Sequence, residues 1–217
     1  MVPLLRNYRL RGLLGDSGAR GFPTNAAPTW PGAFQTFGGR GVSHPRAPAL
    51  APYLPFEYPA GVIRYATPDD VPEILRLIRE LADYERSLHE VKVTEEQLRD
   101  RLFGDDPKVF AHVVEHEGRT VGFSVWFLTF STWNGTHGIY LEDLFVEPDV
   151  RGHGYGKALL TELTRIADAR GYERVEWAVL KWNEPTIAFY ESLGARPQDE
   201  WAVYRLTGDA LTKAARS

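Results

Sequence analysis

The sequence predicts an α/β domain with a mixed sheet, preceded by a long segment of no regular pattern. Three observations predict it. From Val62 onward, short apolar runs suited to strands alternate with amphipathic runs at helical spacing. Stop and start signals fall between those runs, with Gly171 and Gly194 closing helical stretches and His116-Glu117-Gly118-Arg119 reading as a turn between strands. Residues 1–61, in contrast, hold nine of the 15 prolines and nine of the 20 glycines and show neither period.

Taken in order, Val62–Ala66 reads as a short strand. Thr67-Pro68-Asp69-Asp70 opens a helix, with threonine as cap, proline at the first helical position and acids in the first turn. Val71, Ile74, Leu75, Ile78, Leu81 and Ala82 then recur on one helical face. Thr94-Glu95-Glu96-Gln97 is a capping box that starts a second helix reaching about Phe103. Val109–Glu115 and Thr120–Thr129 are expected strands, and Ile139–Val146 another. Gly154–Arg170 is amphipathic, with Leu159, Leu160, Leu163, Ile166 and Ala167 on one face. Arg174–Val179 is an expected strand, Pro185–Leu193 a helix, and Trp201–Leu206 a last strand.

Composition narrows the function classes. Hydrophobic residues at 43% and charged residues at 25% fit a globular chain. No cysteine is present, which excludes disulfides, cysteine-ligated zinc and a thiol nucleophile. The six histidines do not cluster at ligand spacing, so no metal is expected. Apolar runs such as Val121–Phe130 are interrupted and too short to span a bilayer. The start lacks a signal-peptide pattern, so a cytoplasmic location with no membrane partner is expected.

Charge is divided unevenly. Residues 1–61 carry six arginines and two acids, while the remainder carries 19 bases and 27 acids and is net negative by eight. That balance argues against nucleic acid as a partner and suits a cationic one. Residues 1–61 are expected to form a low-order extension ahead of one domain over 62–217. Three readings of the extension stand: a flexible arm, an arginine-rich transit peptide, or upstream sequence included by a wrongly chosen start. The last is favoured, although Met1 is the only methionine, so a later start would use a non-ATG codon.

The chemistry begins at Arg151-Gly152-His153-Gly154-Tyr155-Gly156-Lys157, between a strand and a helix. Glycine amides turned inward at a helix N-terminus make a cradle for phosphate oxygens. A dinucleotide fingerprint would need glycine where Lys157 stands. A P-loop would need glycine at Arg151 and a hydroxyl at Ala158. Both fail.

What remains, Arg-Gly-x-Gly-x-Gly, lies between Tyr140-Leu141-Glu142-Asp143-Leu144-Phe145-Val146 and Trp182-Asn183-Glu184-Pro185-Thr186-Ile187-Ala188-Phe189-Tyr190. These three blocks in this order resemble the GCN5-related N-acetyltransferase (GNAT) superfamily, and in detail its diamine acetyltransferase branch. The likeness runs from about Val62 to Leu211. It implies a mixed, mostly antiparallel sheet flanked by helices, with central strands splayed to bind acetyl-CoA as co-substrate. It implies transfer of acetyl to a primary amine of a small cationic acceptor, of polyamine or lysine-analogue type, and a homodimer.

The resemblance assigns the residues as follows. Leu144, Phe145 and Val146 offer backbone groups to the pantetheine and the acetyl carbonyl. Arg151, Gly152, His153, Gly154, Tyr155, Gly156 and Lys157 hold the pyrophosphate, and Asn183, Glu184, Pro185 and Thr186 support the cofactor with Tyr190. Tyr190 is the general acid, because a phenol with an ordinary pKa of about 10 can protonate a departing thiolate. Glu142, directly or through water, is the base that frees the attacking amine. Tyr84, Glu85, Glu142, Glu176, Trp177, Ala178 and Asp199 bind the acceptor. Glu142 and Asp143 are expected on opposite faces of their strand. Two other readings stay open: a protein or amino-acid N-acetyltransferase of the same fold, and a non-catalytic acyl-CoA-binding module.

Overall fold

A computed structural model describes residues 63–217, and the readings made for residues 1–61 lie outside the described residues. Strand β1 (Ile63–Tyr65) leads through a single 3-10 turn at Pro68–Asp70 into α1 (Val71–Tyr84). Asp70 holds that entry. Its carboxylate accepts from the Thr67 backbone N–H at 2.7 Å and from both terminal nitrogens of Arg64, at 2.6 and 2.8 Å. The capping box at α2 (Glu95–Phe103) forms as the sequence implies, with Gln97 N–H donating to Thr94 Oγ1 at 3.2 Å and Gln97 Oε1 accepting from Thr94 N–H at 3.1 Å.

Strands β2 (Val109–His116) and β3 (Arg119–Ser131) form a hairpin, and β4 (Thr136–Val146) pairs antiparallel with β3. Helix α3 (Tyr155–Ala169) returns the chain so that β5 (Val175–Trp177) pairs parallel with β4. Helix α4 (Glu184–Ser192) follows, and α5 (Gly208–Ala214) ends the chain. The sheet order is β1-β2-β3-β4-β5. Helices α1 and α2 cover one face, where Val71, Ile74, Leu77, Leu81 and Leu98 pack on Ala111, Val113, Phe123, Val125 and Phe145. Helix α3 packs on β4 with Leu159, Leu160, Leu163, Ile166 and Ala167 buried.

The expected strand Trp201–Leu206 does not form. The segment joins no ladder of the sheet among the described residues, and Trp201 is 72%, Val203 90% and Tyr204 93% exposed. Its apolar residues alternate well enough to read as a strand, but a strand needs a partner ladder as well as a pattern. The strand expected at Arg174–Val179 shortens to three residues, so Ala178 lies just beyond it. Among the described residues no helix is long and apolar enough to cross a membrane.

Two buried ionisable groups oppose each other in pH dependence. His112 is 1% exposed, and burial lowers its pKa to about 3 from 6.5. The unfolded chain takes up a proton there first, so stability is lost as pH falls from 6.5 toward 3. Glu162, on α3 and 3% exposed, is pushed by burial to about 7 from 4.5. Its unfolded form loses a proton first, so stability is lost as pH rises from 4.5 through 7. Glu162→Gln, which keeps the shape without the titration, is expected to raise the thermal midpoint at pH 8 and leave it nearly unchanged at pH 5. Thermal melts at the two values check this.

Candidate active site

The site is built where β4 and β5 part. Their pairing covers only Ile139–Leu141 against Val175–Trp177, and from Glu142 to Val146 β4 has no β5 neighbour. A bulge starts the divergence: Val125 faces Asp143 and Trp126 faces Leu141, which leaves Glu142 as the extra residue on β4. The two carboxylates differ in burial. Asp143 is buried at 2% exposure, whereas Glu142 is half-buried.

On the far side of the gap, α4 carries Tyr190 inward. Its ring lies 4.7 Å from that of Trp177, and only 4% of the residue is exposed. Burial raises its phenol well above the ordinary range, so it stays protonated at any physiological pH. Among the described residues its hydroxyl has no hydrogen-bond partner. Asn183 is 2% exposed, and its backbone carbonyl, not its side chain, accepts from the first α4 amides, Thr186 and Ile187. Its Nδ2 is likewise unpartnered among the described residues. Two buried polar atoms without partners beside an open splay are costly unless a ligand satisfies them.

The glycine loop has the form the cradle needs. Gly152 and Gly154 sit at φ of 92° and 81°, which side-chain-bearing residues rarely adopt, and a Cβ at either would project into open space. Gly154 is the residue that caps α3, so the first amides of that helix open onto the same space. The loop is braced from below by Glu147, which is 5% exposed and pairs with Arg119 and, at 2.8 Å, with Arg76 of α1. Arg151 points away from the cradle. Its Nε donates to Val146 O at 3.1 Å, and its guanidinium stacks over the rings of Tyr84 and Phe145 at 5.7 and 5.8 Å.

The acceptor residues divide. Tyr84 ends α1 and its ring is 5.9 Å from that of Trp182, while Glu85 and Asp143 line one small cavity with Ile78, Leu81 and Ala82. Glu176 pairs with Arg174 at 2.8 Å. Asp199 lies exposed in the stretch after α4. Tyr140 was not singled out from sequence, yet it stands opposite Glu176 in the β4–β5 register with Glu142 close by. Burial first, then both carboxylates, raise its phenol pKa. Only the parallel pairing of β4 with β5 reveals this, and the residue spacing alone carries no sign of it.

Residues 72–195, more than half of the chain, match the model of the acetyltransferase (GNAT) family. The chain belongs to this family. By class it is an acetyl-CoA-dependent N-acetyltransferase. It is 36% identical over 165 residues to the thialysine N-epsilon-acetyltransferase of Bos taurus, covering 71% of this chain and 96% of that protein. It is 33% identical to the L-ornithine N5-acetyltransferase NATA1 of Arabidopsis thaliana, covering 69% and 85% respectively. Among solved structures, an integron cassette protein from the mobile metagenome of V. cholerae superposes with a TM-score of 0.61 at 26% identity, over 71% of this chain and 97% of that one.

Proposed function

We propose that this N-acetyltransferase moves an acetyl group from acetyl-CoA to a primary amine of a small cation, a polyamine or lysine analogue, by direct attack in a ternary complex. The observation that carries the reading is the buried, protonated and unpartnered Tyr190 hydroxyl beside the β4–β5 splay. An acid is needed there because a carbon–sulfur bond breaks as the carbon–nitrogen bond forms. Tyr190 gives its proton to the departing thiolate, and the second proton that the attacking nitrogen loses as the amide forms restores the phenol. Glu142, half-buried at the bulge on β4, takes the proton that the ammonium must lose, directly or through water.

The donor fits the chain. Backbone groups of Leu144, Phe145 and Val146 have no β5 partner and hold the pantetheine arm, and one N–H there steadies the negative charge on the carbonyl oxygen. Gly152, His153, Gly154, Tyr155, Gly156 and Lys157 hold the pyrophosphate, and Asn183 with the start of α4 supports the arm from the other side. The absence of cysteine leaves no thiol to carry an acetyl-enzyme intermediate, which agrees with direct transfer. Tyr84, Tyr140, Glu142, Glu176 and Trp177 receive the acceptor, where aromatic faces and carboxylates suit a cation. The names of the thialysine and ornithine acetyltransferases point to the same acceptor chemistry. Exposed Trp201, Val203, Tyr204 and Leu206 support a homodimer, and a cytoplasmic setting is expected.

The test is a coupled CoA-release assay with acetyl-CoA against spermidine, spermine, putrescine, thialysine, lysine, ornithine, small monoamines and a lysine peptide. Strong turnover on a small cation and weak turnover on the peptide are expected. Silence on every small cation, with acetyl-CoA still bound, overturns the acceptor assignment.

A further inference from the structure

The β2–β3 hairpin brings to the glycine loop a histidine that lies in none of the three sequence blocks. We infer that His116 is an additional anion-binding residue of the donor site, donating its Nε2–H to a phosphate oxygen of the donor's nucleotide half. The inference rests on the acetyl-CoA reading above and extends it to a residue on a different element.

The hairpin turns on two residues, Glu117 and Gly118, both at positive φ, 51° and 76°. That tight turn pairs His116 with Arg119 and fixes where the imidazole goes. Its Nδ1 lies 2.7 Å from the hydroxyl of Tyr155, the first residue of α3. The Tyr155 ring stacks on His153 of the loop, at 5.5 Å between centroids and 14° between planes, and His116 and His153 lie 5.3 Å apart. His153 is fixed in turn: its Nδ1 is 3.0 Å from Val150 O, and a carbonyl only accepts, so Nδ1 carries the proton.

In this assignment the Tyr155 hydroxyl donates into His116 Nδ1, the tautomer that leaves the ring proton on Nε2. The contacts with Tyr155 and His153 hold the His116 ring beside the loop before any ligand arrives, and the ring comes from a different element, the β2–β3 hairpin. Preorganised donors lose little on binding, which is the condition for a single hydrogen bond to an anion to register in affinity. Simple packing of three rings between hairpin and helix makes a different demand: it lowers stability when removed but leaves donor affinity alone.

Isothermal titration of acetyl-CoA and of acetyl-dephospho-CoA into the full-length wild type, His116→Ala and His116→Gln separates these. Wild-type binding of acetyl-CoA tests the donor reading itself, and failure there sinks that reading and not the role of His116 alone. Given wild-type binding, His116→Ala is expected to weaken acetyl-CoA about tenfold, with kcat at saturating donor within twofold of wild type. His116→Gln, whose amide N–H can take the place of Nε2–H, is expected to recover most of the loss. A penalty that vanishes with acetyl-dephospho-CoA assigns the contact to the 3′-phosphate. An equal penalty with both donors assigns it to the pyrophosphate. Either result supports the inference. Affinities of both variants within twofold of wild type for both donors overturn it, whatever happens to the thermal midpoint.

Discussion

Tyr190→Phe is expected to lower kcat by about 10²- to 10⁴-fold, the range for loss of a positioned general acid, while the dissociation constant of acetyl-CoA changes less than threefold. The argument is physical at each step. The hydroxyl is buried without a partner among the described residues, so no protein hydrogen bond is lost on its removal. Phenylalanine keeps the ring contact with Trp177, at 4.7 Å in the wild type, and with it the packing of α4. Removing an unsatisfied buried polar atom is neutral or mildly stabilising, so the thermal midpoint is expected to hold or rise. What disappears is the proton for the thiolate. Stopped-flow or steady-state CoA release, paired with titration of acetyl-CoA, reads both quantities. Turnover within threefold of wild type refutes the acid role and leaves Tyr190 as a packing residue.

Much of this fold is written locally and so is legible in the sequence. The Thr94 capping box, the apolar face of α1 and the glycine after α3 each depend on residues within one or two turns, and each forms as the pattern implies. The loop geometry is also local, because positive φ at Gly152 and Gly154 is a property of those residues. Legibility fails where a partner is remote. Trp201–Leu206 has strand composition but no ladder, and β5 keeps only the three residues that β4 can pair. The same limit applies inside the site. Asp199, which the resemblance assigns to the acceptor, lies exposed beyond α4, while Tyr140 and His116 gain their neighbours through strand pairing and hairpin register, which spacing does not encode. Arg151, read as part of the phosphate loop, turns instead to the Tyr84 and Phe145 rings because the α1 end supplies an aromatic surface there.

Phe123→Ala is expected to destabilise the folded protein by about 3–5 kcal/mol, the usual cost of emptying an aromatic site in a packed core. Phe123 is fully buried, sits in the centre of the sheet face under α1 and α2, and stands directly across from Phe145 in the β3–β4 register. For a folded region of this size each kcal/mol moves the thermal midpoint by about 2–4 °C, so a fall on the order of 10 °C is expected in calorimetry. The consequence for function follows from which part of Phe145 does what. Its side chain belongs to the same core cluster as Phe123, while its backbone lies on the stretch of β4 that β5 leaves unpaired. Packing on one side thus holds the strand that the donor uses on its edge. Below the melting range the variant is therefore expected to bind acetyl-CoA more weakly, severalfold, although Phe123 is not itself assigned to the donor and acts through Phe145. A melt unchanged within 2 °C would show that α1 and α2 close over the vacancy without loss. A lowered melt with wild-type affinity would show that the backbone edge of β4 is held by its β3 ladder alone.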